Sequence, residues 1–141
     1  MNRKQAPALL SIMGIHLVSA AHLIAYVGDI AHVSSAAGLA RYCGIAPVLS
    51  GSADNHYHRV NPKGHRRLNA VFHQIAKTQS AWHPLARAYL MKKKAEGKTS
   101  KHAFRCLKRR MVDIVYAVWK SGKPYQTPVN RLADDISEAA M

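Results

Sequence analysis

The sequence predicts an all-α protein, and three observations carry that expectation. Leu68, Val71, Phe72 and Ile75 recur at i, i+3, i+4 and i+7, the spacing of one helix face. Proline and glycine fall where helices start and stop: Pro84 suits a first helical turn, Gly28 follows an apolar run, and Gly97 ends the segment that Pro84 opens. No series of alternating strands and no internal repeat appears anywhere in the chain. At 141 residues it makes one domain, or one domain with an appendage.

The elements follow in order. Residues 6–13 read as a short helix with Pro7 in its first turn, "MGIH" as a turn, and "LVSAAHLIAYV" as a second helix stopped by Gly28-Asp29. Small residues (Ser19, Ala20, Ala21, Ala25) let this pair pack closely. "SSAAGLARYCG" forms a third helix with Ser34 or Ser35 as N-cap. Residues 47–62 look irregular and exposed. Helical spacing resumes over 64–80, then from Pro84 to near Gly97, and last over 101–120. That final helix lines Phe104, Leu107, Met111, Ile114, Val115 and Val118 on one face and Lys101, Arg105, Lys108 and Arg109 on another. The expected layout is a helix-hairpin-helix-like region over 1–46, a serine loop with three basic amphipathic helices over 47–120, and a flexible tail over 121–141.

Charge narrows the partner. Lysine and arginine total 21 against 7 acids, a net charge of +14. From Arg59 to Lys123 the only acids are Glu96 and Asp113. Such a balance points to a polyanion: DNA, RNA or an anionic membrane surface. The first 29 residues pair two cations with an apolar run, as an export signal or membrane anchor would. His16, His22, Gly14, Ser11 and Ser19 interrupt that run, and a soluble helical pair explains it better. Cys43 and Cys106 stand far apart in apolar surroundings, as free thiols of a reducing cytoplasm do.

Five groups of residues are candidates for chemistry. In "LLSIMGIHLVSAAHLIAYVGD" two helices flank a glycine turn, as in modules that hold the DNA backbone through turn amides, with Gly14 and His16 at the contact. Glycine brackets the apolar residue on one side only, and an ordinary helical pair is the competing reading. Lys63, Arg66 and Arg67 open the helix after Gly64, where cations oppose the macrodipole at about 0.3–1 kcal/mol each unless an anion binds. The basic face of Lys101, Arg105, Lys108, Arg109 and Arg110, supported by residues 92–94, makes the same argument for phosphate. His56, His58, His65 and His73 lack a cysteine partner and the spacing of a zinc site, so no metal is expected here. Ser50 and Ser52 lie in a glycine-containing loop beside this charge, where a hydroxyl could act at phosphorus if activated.

Residues 7–125 resemble the C-terminal domain of the insertion sequence one-ten family of transposases. Gly14, Ala21, Leu23 or Ile24, Ala25, Gly28-Asp29, Leu39-Ala40, Tyr42, Gly44 and Pro47 match the family's successive blocks. The likeness continues through "HRVNPKGHRRLNAVFHQIA", with His65 in place of the usual Asn or Asp, and through "YLMKKKAEGKTSKHAFRCLKRRMVDIVYAVW". The resemblance implies DNA transposition through a serine that becomes linked to DNA. The family serine lies six residues before the histidine of this stretch, which selects Ser52; a following glycine favours Ser50 instead. Arg59, Lys63, Arg66 and Arg67 would hold the phosphate. The resemblance further implies a structured guide RNA, an RNase H-like half holding Mg2+, association with nucleoid DNA in the cytoplasm, and self-association. No cofactor is expected on this chain, because Asp29, Asp54, Glu96 and Asp113 form no metal tetrad. The chain begins past where the family's acidic domain would stand, so a truncated or split enzyme is expected. A non-enzymatic nucleic-acid-binding protein and a decayed reading frame are the alternatives.

Overall fold

The computed structural model describes residues 5–45, 47–50, 57–60 and 65–126. Among these residues are six α-helices: α1 (Gln5–Leu10), α2 (Leu17–Val27), α3 (Ala36–Tyr42), α4 (Arg66–Trp82), α5 (Pro84–Ala95) and α6 (Ser100–Ser121). A single 3-10 turn, Ile30–His32, joins α2 to α3. The all-α class holds, with one addition. Part of the segment expected to be irregular forms an antiparallel hairpin, β1 (Pro47–Ser50) and β2 (Tyr57–Val60), in which Pro47 faces Val60 and Ser50 faces Tyr57. Val48, Tyr57 and Val60 favour extended backbone, and turn-forming residues separate the two runs. Four residues are too few for alternation to announce a strand.

The long helix α6 is the hub, packing against α1, α3, α4, α5 and the 3-10 turn. It buries Ala103, Leu107, Met111, Val112, Val115, Val118 and Trp119, while Phe104 and Ile114 are only half-buried. Facing it, α4 buries Leu68, Val71, Phe72, Ile75 and Ala76, the stripe its sequence spacing predicts. Each large apolar side chain withdrawn from water contributes about 1.5–3 kcal/mol. Leu9, Ile12, Leu23 and Leu39 complete the same core.

Helix starts are capped by side chains that accept backbone N–H bonds. Ser35 caps α3 at Gly38 (3.0 Å) and Thr99 caps α6 at His102 (3.2 Å). Three caps are histidines: His16 for α2, His65 for α4 and His83 for α5. Gly122, at φ 70°, ends α6 in the left-handed conformation that lets its N–H reach the Val118 carbonyl. Residues 122–126 then return to α1, where the Tyr125 N–H donates to Ser11 Oγ at 2.8 Å. The start of the expected flexible tail is therefore tied to the body, and 127–141 lie outside the described residues. No helix among the described residues is long and apolar enough to cross a membrane.

Candidate nucleic-acid interface

The N-terminus of α4 carries Arg66 and Arg67 as its first two residues, both exposed. His65 sets that start: its Nδ1 accepts the Leu68 N–H at 3.2 Å, and its own backbone N–H donates to the Tyr42 carbonyl at 2.8 Å. This explains the departure at position 65. Asn or Asp would cap a helix there through a side-chain oxygen, and histidine does so through a ring nitrogen. Arg67 Nη1 donates to the Tyr26 hydroxyl at 2.5 Å.

The antiparallel neighbour of α4 is α6, and their seam organises the charge. Lys108 Nζ donates to Asn69 Oδ1 at 2.8 Å, and Asn69 Nδ2 donates to the Gly44 carbonyl at 3.1 Å. One turn further along α4, His73 meets Phe104 edge-on with centroids 5.0 Å apart. Burial and the neighbouring Arg105 hold the Lys108 ammonium below the ordinary lysine range. Burial, Lys108 and Lys77 likewise lower His73. Lys101, Arg105 and Lys108 fall at i, i+4 and i+7, one row of α6. Arg66, Lys77, Lys101, Arg105 and Lys108 thus lie in a strip along the α4/α6 seam, with Arg67 beside them against Tyr26 of α2, and none of the six has a carboxylate partner among the described residues.

Other cations have partners within the chain. Arg109, expected on the basic face, pairs with Asp113 at 2.6 Å. Arg110 lies over the Tyr89 ring, 4.9 Å from its centroid, and Lys93 approaches that ring while also pairing with Glu96. Lys98 shares Glu96, whose carboxyl is held below its usual range by Lys98 and Lys93. The face nominated by sequence therefore divides: Lys101 and Arg105 are exposed without an ion pair among the described residues, Lys108 is half-buried and bonded to Asn69, Arg109 pairs with Asp113, and the exposed Arg110 lies over Tyr89.

The glycine turn is docked into the fold. Gly14, at φ 99°, lies so close to α4 that a Cβ there would stand 3.0 Å from the Ile75 carbonyl oxygen. The buried Gln79 side chain donates to the Met13 carbonyl at 2.9 Å. His16 Nδ1 caps α2, accepting the Ser19 N–H at 3.4 Å. Leu10, Met13, Leu17 and Val18 give the outer surface there an apolar character, and no Lys or Arg occurs from residue 5 to residue 40.

The hairpin register puts Ser50 at the end of the ladder remote from the chain's connections to α3 and α4. Ser52, His56 and Lys63 lie outside the described residues, as do the side chains of Ser50, His58 and Arg59. Among the described residues no three His, Cys, Asp or Glu side chains gather as metal ligands. The described acids are occupied separately: Asp29 caps the 3-10 turn at Ala31 (2.9 Å), while Glu96 and Asp113 sit in ion pairs. These residues do not fit a divalent-metal centre. Cys43 is buried, its thiol pushed up to about 12 by that burial, whereas Cys106 is only half-buried. A cleft of about 850 Å³ between α6 and residues 121–126, lined by Asp113, Ala117 and Tyr125 among others, opens from the face of α6 opposite the basic row.

Sequence reasoning missed Tyr26, Tyr42, Asn69 and Lys77 around this strip. Only Asn69 and Lys77 left a signal, because with Arg66 and His73 they fall on one row of α4.

Known proteins bear on this arrangement. The sequence model of the transposase IS116/IS110/IS902 family matches residues 6–91. The chain is 34% identical to the 44.8 kDa protein of insertion element IS116 from Streptomyces clavuligerus over 81% of its own length and 29% of that protein. It is 30% identical to the 43.6 kDa protein of insertion element IS110 from Streptomyces coelicolor, covering 86% of this chain and 30% of the relative. It is also 26% identical to the pilin gene-inverting protein of Moraxella lacunata, over 89% of the chain and 40% of that protein. The chain spans less than half the length of each of these relatives.

Proposed function

This chain belongs to the IS116/IS110/IS902 transposase family, and on that premise we propose that it is the serine-bearing, DNA-holding C-terminal part of a transposase or recombinase. The observation that carries the reading is the strip of six cations along α4 and α6, without carboxylate partners among the described residues, in a chain of net charge +14. A row of that kind neutralises successive backbone phosphates and releases their counterions. The pilin gene-inverting relatives favour DNA rearrangement as the wider reaction class.

The proposed chemistry is transesterification. The hydroxyl of Ser52, with Ser50 as the other candidate, attacks a backbone phosphorus. The P–O3′ bond breaks, the departing 3′ oxygen takes the proton, and the strand end remains linked as a 5′-phosphoserine. Reversal by a second 3′-hydroxyl joins a new strand. Arg59, Lys63, Arg66 and Arg67 stand nearest in sequence to stabilise charge on the phosphoryl oxygens. Because the described residues do not fit a metal centre, Mg2+ belongs in this reading to an RNase H-like half outside them. That half, a structured guide RNA, nucleoid DNA in the cytoplasm and further copies of the chain are the partners it calls for.

Incubating the chain together with an RNase H-like half supplied from a family relative, Mg2+ and a 3′-end-labelled duplex, then denaturing, reads the reaction directly. Label should stay with wild-type protein, vanish in Ser52→Ala and persist in Ser50→Ala, while all three bind duplex equally. Duplex binding without any adduct in the wild type would replace this reading with that of a non-enzymatic nucleic-acid-binding protein.

A further inference from the structure

Beside Arg66 and Arg67 lies a row of rings in which Tyr26 packs against the core while His22 and Tyr42 are exposed. The rings of His22, Tyr26, His65 and Tyr42 follow one another with centroids 5.9, 4.8 and 5.8 Å apart, each pair tilted by 44–48°. Tyr42 ends the row and is 48% exposed, although its hydroxyl is spoken for by the Tyr26 carbonyl at 3.1 Å. The arrangement is held in place from several sides. Arg67 bonds the Tyr26 hydroxyl and lies 5.8 Å from the centre of that ring, and the His65 backbone bonds the Tyr42 carbonyl. A large aromatic surface fixed in the open, next to guanidinium groups, suits one chemistry well. A flat π-system can lie on the ring while its phosphate meets the arginines.

We propose that Tyr42, backed by His65 and Tyr26, is a stacking platform for an unpaired nucleotide whose phosphate is held by Arg66 and Arg67. The proposal rests on the nucleic-acid reading above and adds to it a site for bases rather than backbone. Paired bases within a duplex have both faces covered and cannot use such a platform. The strip along α4 and α6 takes phosphates of any strand, so the two sites differ in what they read.

Fluorescence anisotropy at low salt separates them, using the full chain with dT12, rU12, a 12-mer of abasic sites and a short duplex. Wild-type protein should bind dT12 or rU12 roughly 5- to 100-fold more tightly than the abasic strand. Tyr42→Ala and Tyr42→Leu should erase that preference and leave abasic and duplex binding within two-fold, while Tyr42→Phe keeps it. The leucine variant retains apolar volume, so an unchanged melting temperature in it shows that the fold is intact. Equal loss on all four ligands, or no loss on any, would overturn the platform. If dT12 and the abasic strand bind wild type equally, the platform is likewise wrong although backbone binding stands. If neither strands nor duplex bind, the nucleic-acid reading falls as well. Between dT12 and rU12, the more strongly affected ligand identifies the strand type.

Discussion

Two regions of this chain carry the sequence features of a phosphate grip, and the structure uses them differently. The turn between α1 and α2 has the glycine and the flanking helices, yet Gly14 is pressed against Ile75 and Met13 is tied to Gln79. The seam of α4 and α6 has no signature turn, yet it gathers six cations with no carboxylate among the described residues to answer them. A motif reports what a backbone can do, whereas unanswered charge reports what the fold leaves undone. The apolar outer surface of the turn, with Met13, Leu17 and Val18 exposed, sharpens the contrast.

The largest effect tests the turn. Gly14→Ala forces a side chain into a left-handed backbone 3.0 Å from the Ile75 carbonyl and should cost about 2–3 kcal/mol in urea unfolding. Duplex affinity, measured where the variant is still folded, should stay within two-fold. An affinity loss without a stability loss would make the turn a second grip. Next comes the cap that starts the basic helix. His65→Ala removes the bond to the Leu68 N–H and should cost about 1 kcal/mol, whereas His65→Asn should recover most of it.

A smaller effect separates charge from packing. Arg105→Ala should weaken duplex binding a few-fold and lower the salt slope by about 1, with no change in melting temperature. The smallest is a titration. His73 is depressed by burial, Lys108 and Lys77, so its neutral form contributes stability above the unfolded pKa, and that contribution is lost as pH falls through the lowered folded value. NMR should place its midpoint below 6.5 in the free protein, higher in Lys77→Ala, and higher again with duplex bound.

Much of the helical body was legible because α4 and α6 bury a stripe that one period describes. Leu68, Val71, Phe72 and Ile75 lie where their spacing puts them. The caps were half legible: Ser35 is a usual N-cap, but histidine is not, so His16, His65 and His83 gave no warning. The hairpin went unseen because two four-residue strands offer too short a pattern. Within the basic face, Arg109 could have been set aside from sequence, since Asp113 follows at i+4. Arg110 could not, because Tyr89 reaches it from another helix. The aromatic row is likewise tertiary, drawn from α2, α3 and the start of α4. The choice between Ser50 and Ser52 falls largely outside the described residues and still rests on spacing.

The central claim is that position, not total charge, makes the α4/α6 seam the surface that holds DNA. Two variants with the same net charge test it. Arg66, Arg67, Lys101 and Arg105 are changed to Ala in one, and Lys93, Lys98, Arg109 and Arg110 in the other, each taking +14 to +10 by losing four cations. Duplex binding is then followed as a function of salt. The account predicts that the first variant loses about 3–4 from the slope of log affinity against log salt, while the second stays within about 1 of wild type. Equal slopes in the two variants would contradict it and reduce the seam to one part of a uniformly basic surface.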